Sequence, residues 1–129
     1  MRLWPLSIIS RLPRQQLLGQ HRECCALRGK GWGRKHATVD YVFNHPYFWL
    51  CKYHLEIIAE MGRRGFKFEP RWGWYEYRGK KIGIDKSDFT SPKLVPPCSA
   101  IYPEHDDAYL DECLANLARK GITITKNPY

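Results

Sequence analysis

The sequence has no long apolar run. It contains no stretch of about 18 apolar residues, the length that a membrane-crossing helix needs, so we expect no transmembrane span. The first residues, Met1 to Pro5, lack the apolar region of a secretory signal. The five cysteines are an odd number and two of them are adjacent, which does not indicate a framework of disulfides. We therefore expect a reduced, cytoplasmic protein.

Acidic residues are scarce near the start of the chain. Lys and Arg number 21 against 13 Asp and Glu, which gives a formal net charge of +8 and a pI near 9.4. Residues 1 to 38 contain eight basic residues and a single acid, Glu23. Such concentrated positive charge predicts a polyanionic partner. Nucleic acid is the main expectation, and an anionic membrane surface is the alternative.

Helical periodicity predicts three main helices. Apolar and small side chains recur three and four residues apart over residues 14–28, between a proline and a glycine. The second helix follows the cap signal at residues 44–46 and covers residues 47–64. The third begins within residues 102–107 and ends near residue 121. Because its acids outnumber its bases, we expect the third helix to lie away from a polyanion.

An aromatic and basic insertion of about residues 67–100 separates the second helix from the third. Aromatic residues alternate with Gly, Glu and Arg over residues 72–78, and a turn at residues 78–81 precedes the apolar run 82–84. This pattern predicts a small β hairpin or an irregular aromatic-rich segment. The proline-rich residues 91–97 predict an extended linker. The expected fold is therefore a mainly α, single compact domain over residues 1–129, with three main helices and this insertion before the last.

Glu23 is the only acid of the first predicted helix, where it is accompanied by Arg14, Arg22 and Arg28. Two interpretations are open. Glu23 is either a salt-bridged surface residue or a catalytic acid or base inside an anion-binding site. The glycine-rich, basic turn at residues 29–35 permits close approach to phosphates, and a turn that merely ends the helix fits it equally.

Several short motifs, in the same order along the chain, resemble the pyrimidine-dimer DNA glycosylase/AP lyase family typified by the phage endonuclease V. The motifs are Ser10-x-Leu12-x-x-Gln15-x-Leu17 leading to Arg22-Glu23, then Arg34-Lys35-His36, and then Ile57-x-Ala59-Glu60 leading to Arg64-Gly65-Phe66. The resemblance covers residues 1 to 66 well and residues 100 to 120 loosely. The insertion has no counterpart in the same order.

The resemblance implies a reaction and a set of site residues. In that family the nucleophile is the amino group of the mature N-terminus, and a glutamate of the first helix assists it; here these would be Met1 and Glu23. An α-amine suits this role because its pKa of about 8 leaves roughly a tenth of it as free base at pH 7. The implied partner is damaged double-stranded DNA, carrying a pyrimidine dimer or an abasic site, and no cofactor, metal or membrane is implied. We expect a monomer. The implied DNA contacts are Arg2, Arg22, Lys30, Arg34, Lys35, His36, Arg63 and Arg64.

The sequence departs from the family pattern in two places. Phage-type members expose a small residue such as Thr after removal of Met, followed by Arg, whereas here Arg2 directly follows Met1. A gapped register makes the Met1 amine the nucleophile, and an ungapped register puts Arg2 in its place. We prefer the gapped register because it supplies both an amine and a cation. Gln16 replaces a family His and Ala26 a family Arg, so lesion specificity stays open.

A non-catalytic or zinc-stabilised nucleic-acid-binding protein is the alternative. His21-x-x-Cys24 and Cys51-x-x-His54 each place two potential ligands on one helix face, and antiparallel packing would bring them together in a tetrahedral zinc site. Ordinary core residues explain the same spacing. RNA or nucleotide processing without damage recognition is a third interpretation, which shares the basic surface.

Overall fold

The computed structural model describes residues 2–35, 38–85, 96 and 98–126. Its described part contains four α-helices: α1 (Leu6–Ile9), α2 (Arg14–Arg28), α3 (Tyr47–Arg63) and α4 (Asp107–Arg119). Short 3₁₀ helices cover Asp40–Asn44 and Pro70–Gly73, on either side of α3. The mainly α fold class and the three main helices are thus confirmed. Within the described ranges no helix is both long and apolar enough to cross a membrane.

Local sequence explains where the main helices begin and end. Pro13 and Pro46 stand directly before α2 and α3 with extended ψ angles, and proline suits this place because its missing N–H would have no partner there. Asp106 caps α4, since its Oδ1 accepts the N–H of Tyr109 at 2.9 Å. Gly121, with φ of 81°, follows the end of α4.

The core is formed mainly where α2 packs against α3. The segment before α2 covers one side of this pair, and α4 contributes Cys113 and Leu117. In this leading segment Leu3, Ile8, Ile9 and Leu12 are buried, and Leu6 is partly buried. Apolar side chains from residue 3 to residue 117 therefore share one contiguous core cluster.

Arg28, the last residue of α2, is fully buried. Each of its five N–H groups has an acceptor, which is the condition for burying a guanidinium. The acceptors are the Tyr47 hydroxyl, Nδ1 of His54, and the carbonyl oxygens of Trp72, Trp74 and Tyr77. Arg28 thus attaches the aromatic insertion to α2 and α3.

The insertion is irregular. Its described residues form one β pairing, a single antiparallel bridge between Tyr77 and Ile84. Of the two predicted alternatives, the irregular segment therefore describes it better than the β hairpin. Arg28 accounts for the carbonyl oxygens of Trp72, Trp74 and Tyr77, to which it donates hydrogen bonds. The predicted linker at residues 91–97 lies, apart from Pro96, outside the described residues.

His54 is fully buried between Arg28 and His21. A guanidinium only donates hydrogen bonds, so Nδ1 of His54 accepts from Nη1 of Arg28 at 2.9 Å. In the neutral ring Nε2 then carries the proton and donates to Nδ1 of His21 at 2.8 Å. Burial, together with the charge of Arg28 and with His21, holds the pKa of His54 well below its usual value. The fold therefore requires a neutral His54.

We expect acid to destabilise the fold through His54. The unfolded ring titrates near pH 6.5 and the folded ring only at much lower pH, so the unfolded state binds more protons below pH 6.5. From His54 alone, the free energy of unfolding should fall by about 2 kcal/mol between pH 6.5 and pH 5. Denaturant titrations at several pH values measure this slope. H54Q, which keeps an acceptor and a donor, should be less stable at pH 7.5 and have a shallower slope. Equal slopes for H54Q and the wild type would contradict the assignment.

Candidate active site

An open cavity of about 350 Å³ lies between the first residues of the chain, α2 and the end of α4. One face of α2 forms a wall of it, because residues three and four apart on a helix are neighbours. The lining residues are Arg2, Trp4, Gln16, Gly19, Gln20, Glu23, Thr38, Asn116 and Lys120. The cavity therefore brings Glu23 together with the first described residues and with the end of α4.

Gln20, which is 1% exposed, fixes the first residues of the chain against α2. Its Oε1 accepts the backbone N–H of Trp4 at 2.6 Å, and its Nε2 donates to the carbonyl of Arg2 at 3.1 Å. The Tyr53 hydroxyl lies 2.5 Å from the Trp4 carbonyl oxygen and 2.9 Å from Oε1 of Gln20. Removing one partner of such a buried network costs about 1–3 kcal/mol. Gln20 thus places Arg2 at the same cavity as Glu23.

Glu23 brings an unpaired acceptor to the cavity. Its Oε2 is buried and has no hydrogen-bond partner within the described part of the chain, and the same is true of Oδ1 of Asn116 on α4. A buried acceptor without a donor costs about 1–3 kcal/mol and therefore needs an explanation. A ligand or a proton donor that enters the cavity supplies one. The interpretation of Glu23 as a catalytic acid or base stays a prediction.

The Arg2 guanidinium points to α4. Its Nη1 lies 3.4 Å from Oε1 of Glu112 and 3.6 Å from Sγ of Cys113. Its Cζ is 5.9 Å from the ring centre of Trp4 and 6.0 Å from that of Tyr109. The Glu112 side chain is 61% exposed, so this ion pair is a weak one that a phosphate can replace. A contact of Arg2 with DNA stays a prediction.

Asn116 and Lys120 were missed by the sequence analysis. They are four residues apart and hence on one face of α4, and Nζ of Lys120 lies 5.5 Å from the ring centre of Trp4. We expected α4 to lie away from a polyanion, but its end borders the cavity. The acids of α4 lie toward its start, whereas its bases lie at its end. The basic residues at the end of α4 could have indicated this contribution to the cavity. The prediction missed it because it used the net charge of the whole helix.

Four predicted DNA contacts lie on the surface of α2 or in the turn after it. These exposed residues are Arg22, Lys30, Arg34 and Lys35. Arg22 borders a shallow depression on the outer side of α2, together with Arg14. Two other predicted site residues, Met1 and His36, lie outside the described residues.

The two arginines at the end of α3 have partners within the fold. Arg64 donates to Oε2 of Glu60 and to three carbonyl oxygens at and after the end of α1. Arg63, whose side chain is 63% exposed, pairs with the other oxygen of Glu60 at 2.8 Å. Hydrogen bonds from Arg64 and Arg63 hold the pKa of Glu60 below its usual value. Arg64 therefore fastens α1 to α3, and contacts of Arg63 and Arg64 with DNA stay predictions.

A possible metal-ligand cluster lies away from the cavity. Among the described residues, ligand atoms of His21, Cys25 and His54 lie within 4.8 Å of one another. The cysteine is Cys25, whereas the sequence suggested a site with Cys24. Metal-binding histidines usually donate their second N–H to an acceptor, but here the second nitrogen of His54 faces Arg28, a cationic donor. The residues present therefore do not fit a metal ion.

Comparison with known proteins identifies the family. A family model described as pyrimidine dimer DNA glycosylase matches residues 1–73, which include α2, α3 and Glu23. No curated protein and no solved structure matches the chain significantly. The matched residues are more than half of the chain and contain most of the cavity wall, whereas Asn116 and Lys120 lie beyond them. The chain belongs to the pyrimidine dimer DNA glycosylase family.

Proposed function

We propose that the protein is a DNA repair glycosylase with AP lyase activity, which acts on duplex DNA at pyrimidine dimers or abasic sites. One observation carries this proposal: Glu23 brings an unpaired, buried oxygen to a cavity that Arg2 also lines. A single peptide unit, about 3.8 Å between Cα atoms, joins residue 2 to residue 1. In this proposal the amino group of Met1, one residue before Arg2, acts together with Glu23, and membership of the family supports a glycosylase role.

In this proposal the free base of the Met1 amino group is the nucleophile. It attacks C1′ of the damaged nucleotide, and the base leaves with the electron pair of the glycosidic bond. Loss of a proton from the nitrogen and opening of the sugar at O4′ then give an imine. A proton leaves C2′, the C3′–O bond breaks, and this β-elimination cuts the strand.

The proposed role of Glu23 is to stabilise the cationic sugar and to carry protons. Its carboxylate faces positive charge as the base leaves, and it then accepts and returns protons during imine formation and elimination. An oxygen that has no donor among the described residues is available for these steps. Access to C1′ requires that a base be extruded from the helix. We also propose that the chain acts as a single domain and a monomer in the cytoplasm, without a cofactor.

Replacement of Glu23 by Gln tests this role because it removes the charge and keeps the size. We expect E23Q to incise a duplex with one abasic site about a hundredfold more slowly, since general acid–base groups contribute at least that much. Its affinity for the same duplex should stay close to that of the wild type. Gel assays of incision and fluorescence anisotropy measure the two quantities.

The matched control for this test is E56Q, which changes an exposed glutamate of α3 and should incise like the wild type. An E23Q variant that retains wild-type incision would refute the role of the carboxylate. A wild-type protein that binds the duplex without incising it would favour the non-catalytic alternative.

The exposed arginines and lysine near α2 should act through phosphates. Each substitution R22A, R34A or K35A should weaken DNA binding and reduce the slope of log K against log salt concentration by about 0.9, the value for one lost phosphate contact. Anisotropy titrations at several salt concentrations give the slope. K52A, which removes an exposed cation of α3, should leave it unchanged. Slopes equal to that of the wild type would count against a phosphate role.

A further inference from the structure

A second open cavity, of about 380 Å³, lies between the start of α1 and the start of α4. Among the described residues, none lines both this cavity and the one that contains Glu23. Its volume is in the range of small-molecule sites, about 300–1,000 Å³. The polar residues of its walls are Ser7, Ser99, His105, Asp106 and Asp107. The proposed DNA reaction uses none of them.

One buried side chain of this second cavity has a hydrogen-bonding atom without a partner. His105 is 8% exposed, and its Nδ1 is buried and has no partner within the described part of the chain. Whether this nitrogen donates or accepts depends on which ring nitrogen carries the proton. The contacts of the other ring nitrogen, Nε2, decide between the two.

A chain of hydrogen bonds places the proton on Nε2. The Tyr109 hydroxyl donates to the carbonyl oxygen of Leu3 at 2.7 Å, and a carbonyl oxygen only accepts. Because Tyr109 has one hydroxyl proton, it must accept in its hydrogen bond with the Tyr41 hydroxyl. The Tyr41 oxygen then accepts the N–H of Nε2 of His105, which lies 2.5 Å away. Nδ1 of His105 is therefore an acceptor with a free lone pair.

His105 keeps this neutral form at neutral pH. Burial lowers the pKa of His105 to about 4, although the carboxylates of Glu104 and Asp106 favour the charged ring. The ring stacks on that of Tyr109, with the ring centres 4.8 Å apart and the planes at 12°, and this contact fixes its direction. Buried acceptors in folded proteins have donors. The cavity therefore requires a ligand that brings an N–H or O–H group.

The charge of the walls restricts the ligand further. The carboxylates of Asp106 and Asp107 line the cavity, and its described lining residues include no Lys or Arg. Asp106 also caps α4 through its Oδ1, so its carboxylate is held in place. Leu6 and Leu110 are among the apolar residues of the walls. Such walls favour a positively charged donor with an apolar chain, and they repel a phosphate.

A metal ion fits this cavity less well than an organic cation. Within the described residues, the three ligand atoms that lie within 4.8 Å of one another are those of His21, Cys25 and His54. The acids and the histidine of the second cavity do not form such a group. An organic cation does not require its contacts to converge on one point.

We propose that the second cavity binds a primary alkylammonium group. One N–H is donated to Nδ1 of His105, the carboxylates of Asp106 and Asp107 balance the positive charge, and the alkyl chain lies against the apolar walls. A free amine and a lysine side chain of a partner protein both carry this group. The proposal does not rest on the DNA reaction, because its residues are separate from those of the other cavity.

Titration of the protein with n-butylammonium tests the proposal. Binding is followed by NMR at the amides of Ala100 and Leu110, which line the cavity, and at Nδ1 of His105 in the isotope-labelled protein. Tetramethylammonium is the matched probe, since it has the same charge and no N–H group. We expect butylammonium to shift these resonances saturably and tetramethylammonium to leave Nδ1 unchanged. The absence of a saturable shift with butylammonium, or an equal shift of Nδ1 with both probes, would overturn the proposal.

Two variants test the acceptor and the charge. His105→Phe keeps a ring against Tyr109 and removes the acceptor, so the Kd of butylammonium should rise about tenfold or more, as for a lost hydrogen bond to a charged group. Asp107→Asn removes one exposed charge and should raise Kd about threefold. The matched control, Asp111→Asn, removes a charge of α4 outside the cavity and should leave Kd unchanged.

Thermal melting establishes that each variant is folded. A wild-type Kd in both H105F and D107N would overturn the proposal. If H105F does not fold, a wild-type Kd in D107N overturns it alone.

A last titration identifies the source of the ammonium group. Lysine with both backbone ends blocked represents a lysine side chain of a protein. Binding at least as tight as that of butylammonium supports the site and assigns it to a protein partner. Weaker, saturable binding supports the site and assigns it to a free amine.

Discussion

The hydrogen bonds of one buried side chain, Gln20, hold the start of the chain in place. The first residues of most proteins fray unless they are tied down, and an enzyme that uses its terminus as a nucleophile requires the opposite. Gln20 binds the backbone on both sides of residue 3, and the Tyr53 hydroxyl of α3 reinforces it. Since the amide is buried, each of these bonds must be made for the fold to tolerate it. The same constraint thus serves stability and brings Arg2 to the cavity.

Three sides of helix α2 make different contacts. Arg28 and His21 point toward α3 and the insertion, where Arg28 satisfies five acceptors and keeps His54 neutral. Gln20 and Glu23 line the cavity, while Arg22 lies on an outer surface exposed to a polyanion. The proposed catalytic carboxylate is therefore held by a helix whose other sides are fixed by buried polar contacts and by core packing.

Sequence patterns predicted the features that depend on local spacing. Prolines and apolar periodicity predicted α2 and α3, and short motifs near Glu23 indicated the family that the comparison confirms. Features that depend on distant partners were not predicted. Gln20 carries no motif, and its partners lie 16, 18 and 33 residues away. Arg28 was read as a neighbour of Glu23, yet it is buried on the side of α3.

Tertiary contacts also explain where the observed candidate site differs from the site predicted from the sequence. Asn116 and Lys120 line the cavity because α4 ends beside it. The net charge of the helix does not indicate where the helix ends in space. Among the described residues the insertion forms a single bridge, and the buried Arg28, a distant residue, donates hydrogen bonds to three of its carbonyl oxygens. Periodicity tells which side of a helix is buried, but it does not tell which distant polar group satisfies a buried one.

Mapping of the covalent intermediate tests the central claim most directly. The protein is incubated with a duplex that contains one abasic site, the imine is reduced with borohydride, and the cross-linked peptide is identified by mass spectrometry. The account predicts a DNA adduct on the α-amino group of Met1. An adduct on Nζ of Lys120, whose side chain lines the cavity, or the absence of any adduct would contradict it.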